Sequence, residues 1–95
     1  MAVPADAMHP GELLAEILEE LGLSQAAFAR AIGVSRMRVS HLVAGSRPMT
    51  AELALLVGKA LGQSPEMWTN LQMLHDLSAA QDTLKARIKG VKRVA

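Results

Sequence analysis

Apolar residues recur along this chain at helical spacing. Leu13, Leu14, Ile17, Leu18 and Leu21 make one stripe after His9-Pro10-Gly11, with Glu12, Glu16, Glu19 and Glu20 largely off it. Gly22 is placed to end that helix, with Leu23 packing back on its last turn. Ser24 predicts an N-cap for a second helix, Gln25 to Ile32, which Gly33 interrupts. Ser35 predicts a third, from Arg36 to about Ala44; Gly45 closes it and Pro48 forbids continuation. Thr50 starts a fourth helix to Leu61, with Leu53, Leu56, Val57, Ala60 and Leu61 as its expected buried stripe. Ser64-Pro65-Glu66 starts a fifth, which carries Met67, Trp68, Leu71, Met73, Leu74 and Leu77. Residues 78–89 either continue it or begin again, with Leu84 and Ile88 four apart. No strand pattern, repeat or low-complexity stretch appears. The expectation is an all-α bundle of five to six helices: a loose arm over 1–8, one domain over 9–83, and a basic tail over 84–95.

Composition narrows the function. Of 95 residues about half are hydrophobic, yet there is one Phe, one Trp and no Tyr, so the core must be aliphatic. The chain has no Cys, which excludes a disulfide framework, a thiolate metal site and a Cys nucleophile. No apolar run approaches the ~20 residues of a membrane helix, and no basic-then-apolar leader opens the chain. Both features point to a soluble cytoplasmic protein with no membrane partner. His9, His41 and His75 are distant in sequence and lack metal-ligand spacing, so no metal or other cofactor is expected. No motif joins Ser, His and Asp into a nucleophilic set, and an enzyme is not expected.

A net charge of +1 conceals an uneven distribution. Residues 24–47 carry Arg30, Arg36, Arg38 and Arg47 and no acid; from Lys85 onward there are five more bases and again no acid. Two basic zones and one acidic helix suggest faces with different partners.

The second and third helices have the requirements of a helix-turn-helix: two short helices crossing steeply over a tight turn. Ala29 is small enough for close packing of the pair, and Gly33 tolerates positive φ in the turn. Val34, Val39 and Leu42, with Phe28 and Ile32, would pin the inner face. Arg36, Met37, Ser40 and His41 are left facing outward. A helix of this kind fits the major groove of double-stranded DNA, with its N-terminal residues at the base edges.

Ser24-Gln25-Ala26-Ala27-Phe28-Ala29-Arg30 followed by Gly33-Val34-Ser35-Arg36 and Val39-Ser40 resembles the lambda-repressor/Cro (XRE) family. The flanks are similar to HigA-type (VapI-like) antitoxins: His9-Pro10-Gly11-Glu12-Leu13-Leu14, Gly45-Ser46-Arg47-Pro48-Met49-Thr50, and Ser64-Pro65-Glu66-Met67-Trp68-Thr69-Asn70-Leu71-Gln72. The resemblance covers roughly His9 to Asp82. It implies a lambda-repressor-like bundle with a C-terminal dimerisation helix. It also implies an antitoxin that neutralises a HigB-like mRNA endonuclease, and a homodimer that represses its own operon from a palindromic operator. Met37 departs from the family, which often has a hydrogen-bonding residue there, and suggests an apolar contact such as a thymine methyl.

Arg36 is the expected base reader, since a guanidinium pairs bidentately with guanine. Ser40 and His41 are candidates for base or phosphate contacts. Gln25 and Ser35, at helix starts, are placed for phosphates as well as for capping. Arg38 and Arg47 are expected on the DNA backbone. Trp68, Leu71, Leu74 and Leu77 are the expected dimer interface, because leaving them uncovered would expose a large apolar patch. Glu12, Glu16, Glu19 and Glu20 would repel DNA and suit a basic toxin, though they also serve as a solubilising surface. Two alternatives stay open from sequence: a stand-alone repressor without a toxin, and a protein-interaction module that no longer binds DNA.

Overall fold

The computed structural model describes residues 5–95. Six helices follow one another: α1 (Pro10–Leu21), α2 (Gln25–Ile32), α3 (Arg36–Val43), α4 (Ala51–Leu61), α5 (Pro65–Thr83) and α6 (Lys85–Gly90). Among the described residues there is no strand, and no helix is long and apolar enough to cross a membrane.

Local chemistry sets the helix starts. The hydroxyls of Ser24, Ser35 and Thr50 each accept from the backbone N–H three residues on, at 3.1, 3.2 and 3.2 Å. Each satisfies one of the donors a helix start leaves free. Ser64 departs from this pattern: its hydroxyl donates to the Glu66 carboxylate, and α5 begins without a side-chain cap.

The core is made by α1 to α4 and the start of α5. Leu14, Leu18, Phe28, Ala29, Ile32, Val39, Leu42, Met49, Leu53, Ala54, Val57 and Trp68 are all buried. Three expectations change here. Leu21 is exposed, because α1 turns its last residue past the edge of the bundle. On α4 Leu53 and Val57 are buried and Leu56 and Leu61 are half-buried against the core, while Ala54 and Gly58 are buried in place of Ala60, which is exposed. A β-carbon on Gly58 would lie 2.7 Å from the Gln63 carbonyl oxygen. Trp68, expected at a dimer interface, is fully enclosed by this chain's own core and donates its indole N–H to Gln63 Oε1 at 3.1 Å.

The N-terminal segment packs more closely than a loose arm. Of residues 1–8, the first four lie outside the described residues. Ala7 is tied to α5, its N–H facing Ser78 Oγ at 3.4 Å and its carbonyl accepting from His75 Nδ1 at 2.9 Å. At the other end, Leu84 breaks the helical path and the basic segment resumes as α6. The end of α5 and α6 project from the bundle, giving overall dimensions of 50 × 22 × 21 Å.

His9 and His75, distant in sequence, meet in space with ring centroids 5.0 Å apart and edge to face. His9 is buried, and its Nδ1 accepts from the Gly11 N–H at 2.9 Å, capping α1. Burial, and then the charge of His75, hold the His9 pKa below 6.5; the Arg47 backbone, Asp76 and Glu12 oppose them. The fold therefore favours neutral His9. Its contribution to stability is complete above the unfolded value near 6.5 and is lost as pH falls through and below it. Thermal melts between about pH 7 and pH 5 should show a falling melting temperature. His9→Asn keeps a capping acceptor and removes the titration, so its profile should be flatter over that interval. An equally steep profile would assign the acid sensitivity to other groups.

Candidate nucleic-acid interface

The α2–α3 pair is built on a short turn. Gly33 has φ 73°, a left-handed conformation that other residues adopt only at a cost. Its N–H donates to Arg30 and that of Val34 to Ala29, at 3.3 and 3.0 Å, closing the end of α2. Phe28, Ala29 and Ile32 from α2 and Val39 and Leu42 from α3 are buried together. Burying Val39 and Leu42 fixes the rotation of α3 and directs its remaining positions to solvent.

Those positions are Arg36, Met37, Arg38 and Ser40, all exposed, with His41 half-buried. Met37 is 66% exposed, so its side chain is not part of the core. Gln25 is half-buried at the start of α2, and Ser35 is exposed with its hydroxyl engaged as a cap. A cleft beside α3 is lined by Ser35, Met37, Arg38, His41, Arg47, Pro48, Thr50 and Leu53. It brings together Ser35, Met37, Arg38, His41 and Arg47 from the expected DNA-contacting set, and Arg36 adjoins them in sequence. Gln25 and Ser40 lie outside it. Pro48 and Thr50, which the sequence marks as a helix stop and a helix start, lie on the same surface.

Arg38 has a partner that sequence does not indicate. Its guanidinium meets the Glu52 carboxylate of α4 at 3.1 Å, with both side chains well exposed. Such a pair is worth about 0.2–1 kcal/mol, weak enough for a phosphate to compete with it.

The four glutamates Glu12, Glu16, Glu19 and Glu20 lie on α1; Glu12, Glu19 and Glu20 are exposed and so is Glu16. Of the expected dimer residues, Leu71 is half-buried against the core, Leu74 is half-buried, and Leu77 is exposed. Leu77 continues into a groove with Ala80, Gln81, Leu84, Lys85, Ile88 and Lys89. Leu84 and Ile88, four apart in the sequence, share that groove with Leu77. Among the described residues, no group of three or more His, Cys, Asp or Glu is arranged to hold a metal ion.

Two short helices packed together over a tight turn, the second largely exposed, basic and free of acids, define a helix-turn-helix protein. The helix-turn-helix family profile matches residues 14–68. Antitoxin HigA-1 of Vibrio cholerae is 40% identical over 83 residues, covering 86% of this chain and 78% of that protein. The HTH-type transcriptional regulator YddM of Escherichia coli is 37% identical over 76 residues, covering 80% of this chain and 81% of that protein. Among solved structures, antitoxin HigA of Pseudomonas aeruginosa with the higBA promoter superposes with a TM-score of 0.89 at 33% identity, covering 94% of this chain and 99% of that one. The chain belongs to the helix-turn-helix family, in the branch of the HigA antitoxins.

Proposed function

We propose that this protein is the antitoxin of a toxin–antitoxin pair, binds an operator as a dimer, and represses the operon that encodes it. The observation that carries the reading is the outer face of α3: Arg36, Met37 and Ser40 stand exposed, without an acid among them, on a helix fixed by buried Val39 and Leu42. In this reading Arg36 reads a guanine in the major groove and Met37 supplies an apolar contact. Gln25, Ser35, Arg38 and Arg47 meet phosphates, and Ser40 and His41 border the bases. The HigA structure solved with the higBA promoter supports DNA as the ligand. The exposed glutamates of α1 are the face offered to a basic, HigB-like RNase toxin. The activity is binding rather than catalysis, and its place is the cytoplasm, where both the operon and the toxin's mRNA targets lie.

The test is a gel shift of the full chain on its own promoter region, beside a scrambled duplex, at two salt concentrations. A specific shift is expected, and Arg36→Ala should weaken it by at least about tenfold, since a bidentate base contact is worth about 1–3 kcal/mol. Sequence-blind binding, or an Arg36→Ala variant that shifts the operator like the wild type, would refute readout through α3.

A further inference from the structure

The α3–α4 loop, which carries Arg47, is gripped from both sides by residues outside the helix-turn-helix pair. On one side lies the His9 ring, whose Cγ would stand 3.7 Å from a β-carbon on Gly45. On the other is Gln72 of α5, a polar side chain buried to 8% exposure. Its Oε1 accepts from the Met49 backbone N–H at 2.7 Å, and its Nε2 donates to Asp76 Oδ1 at 2.9 Å. The Asp76 carboxylate accepts only, so it orients the amide with its oxygen toward the loop. Met49 is itself buried, and its N–H lies between helices with no intrahelical acceptor. Gln72 therefore fixes the backbone two residues after Arg47.

We propose that Gln72 is a positioning residue for DNA binding: through Met49 it holds the α3–α4 loop so that Arg47 reaches the phosphate backbone beside the recognition helix. The inference rests on the DNA-binding reading above. A purely structural Gln72 would lower stability and leave the electrostatics of binding unchanged. A positioning Gln72 acts on the same phosphate contact as Arg47, and so shares its effect on salt dependence. The clamp sits on α5, whose far end forms with α6 the groove of Leu77, Leu84 and Ile88. The helix proposed to join two copies thus also sets the loop of each.

The experiment measures dissociation constants of the full chain on its promoter fragment by fluorescence anisotropy over a series of salt concentrations. Gln72→Met removes both polar groups at similar length; it should weaken binding about tenfold and make the slope against log salt shallower by about one per copy. Arg47→Ala should do the same. Combined, the two substitutions should bind within about twofold of Arg47→Ala alone, because they remove one contact. Gln72→Glu by itself sets two carboxylates together and should weaken binding. Adding Asp76→Asn should restore it, since the amide introduced there can donate to one carboxylate oxygen while the other accepts from Met49. This pair decides the matter even if Gln72→Met melts too low to assay. Full additivity with Arg47→Ala, an unchanged salt slope, or no rescue by the pair overturns the proposal. Arg47→Ala with wild-type affinity overturns it while sparing readout through Arg36; a wild-type chain that shows no specific binding to the promoter fragment overturns the DNA-binding reading itself.

Discussion

Gly11→Ala should lower the melting temperature by more than about 12 °C, on the basis of a loss of about 3 kcal/mol or more and roughly 4–8 °C per kcal/mol for a domain of this size. The cause is a close approach of two helices. A β-carbon on Gly11 would lie 1.8 Å from the Leu42 carbonyl oxygen and 2.8 Å from its carbon, far inside any contact real atoms make. Neither obstacle is the end of a flexible side chain; both are backbone atoms of α3. Relief therefore requires α1 to move away from α3, and that motion would uncouple buried Leu14 and Leu18 from Val39 and Leu42. It would also disturb the cap, since the Gly11 N–H donates to His9 Nδ1. The gain from placing Ala in a helix, about 0.5–1 kcal/mol, offsets only part of this. Gly90→Ala is the control: a β-carbon there meets nothing within 4 Å and the backbone is helical, so its melt should match the wild type. A Gly11→Ala melt within about 2–3 °C of wild type, on the same scale, would show that α1 and α3 can separate cheaply.

What can be read from sequence, and what cannot, divides by range. Ser24, Ser35 and Thr50 cap the helices that sequence assigns them, because a hydroxyl and an N–H three residues later are brought together by the helix itself. The α2–α3 pair is legible for the same reason: Ala29, Gly33, Val39 and Leu42 act within one short unit. Arg36, Met37 and Ser40 are readable as outward-facing once Val39 and Leu42 are assigned inward. The misses are contacts across the chain. His9 and His75 lie at opposite ends of the bundle's sequence yet stack edge to face, and Gln72 reaches Met49 across 23 positions. No periodicity encodes such pairings. Trp68 is misassigned from sequence because a large apolar side chain at the start of α5 suits the core and an interface equally, and only packing against α4 separates the two. On α4 the four large residues are read correctly as core-facing, while Ala54 and Gly58 escape the assignment and Ala60 takes it wrongly, because small residues carry little periodic signal of their own. Arg38 shows the same limit for charge: its basic character is evident, while its ion pair with Glu52 depends on how α3 and α4 cross.

Leu77→Glu combined with Ile88→Glu should give a folded monomer that binds the operator at least about 100-fold more weakly than the wild type. Leu77, Leu84 and Ile88 are 41%, 37% and 51% exposed in the single chain, and they line one apolar groove with Ala80 and the stems of Lys85 and Lys89. Both substituted positions are solvent-accessible, so two carboxylates there cost the isolated bundle little. Leu71 or Leu74 would be poorer choices, since each packs partly against the core or its edge. In a dimer joined through this groove the same carboxylates would be desolvated against an apolar surface, and a two-fold interface would bring the substitutions of both copies into one patch. The loss in DNA affinity follows from geometry. A two-fold dimer sets its recognition helices about 34 Å apart, one turn of the duplex, and the second helix then binds as an intramolecular event worth about 10²–10⁴ in affinity. Splitting the dimer forfeits that gain while leaving Arg36 and the rest of α3 unaltered. Sedimentation equilibrium and anisotropy on the operator fragment measure the two halves of the expectation separately. A variant that remains dimeric would move the interface away from α5 and α6. A clean monomer with undiminished operator affinity would mean that one copy of α3 is sufficient, and that the projecting helices serve a different partner.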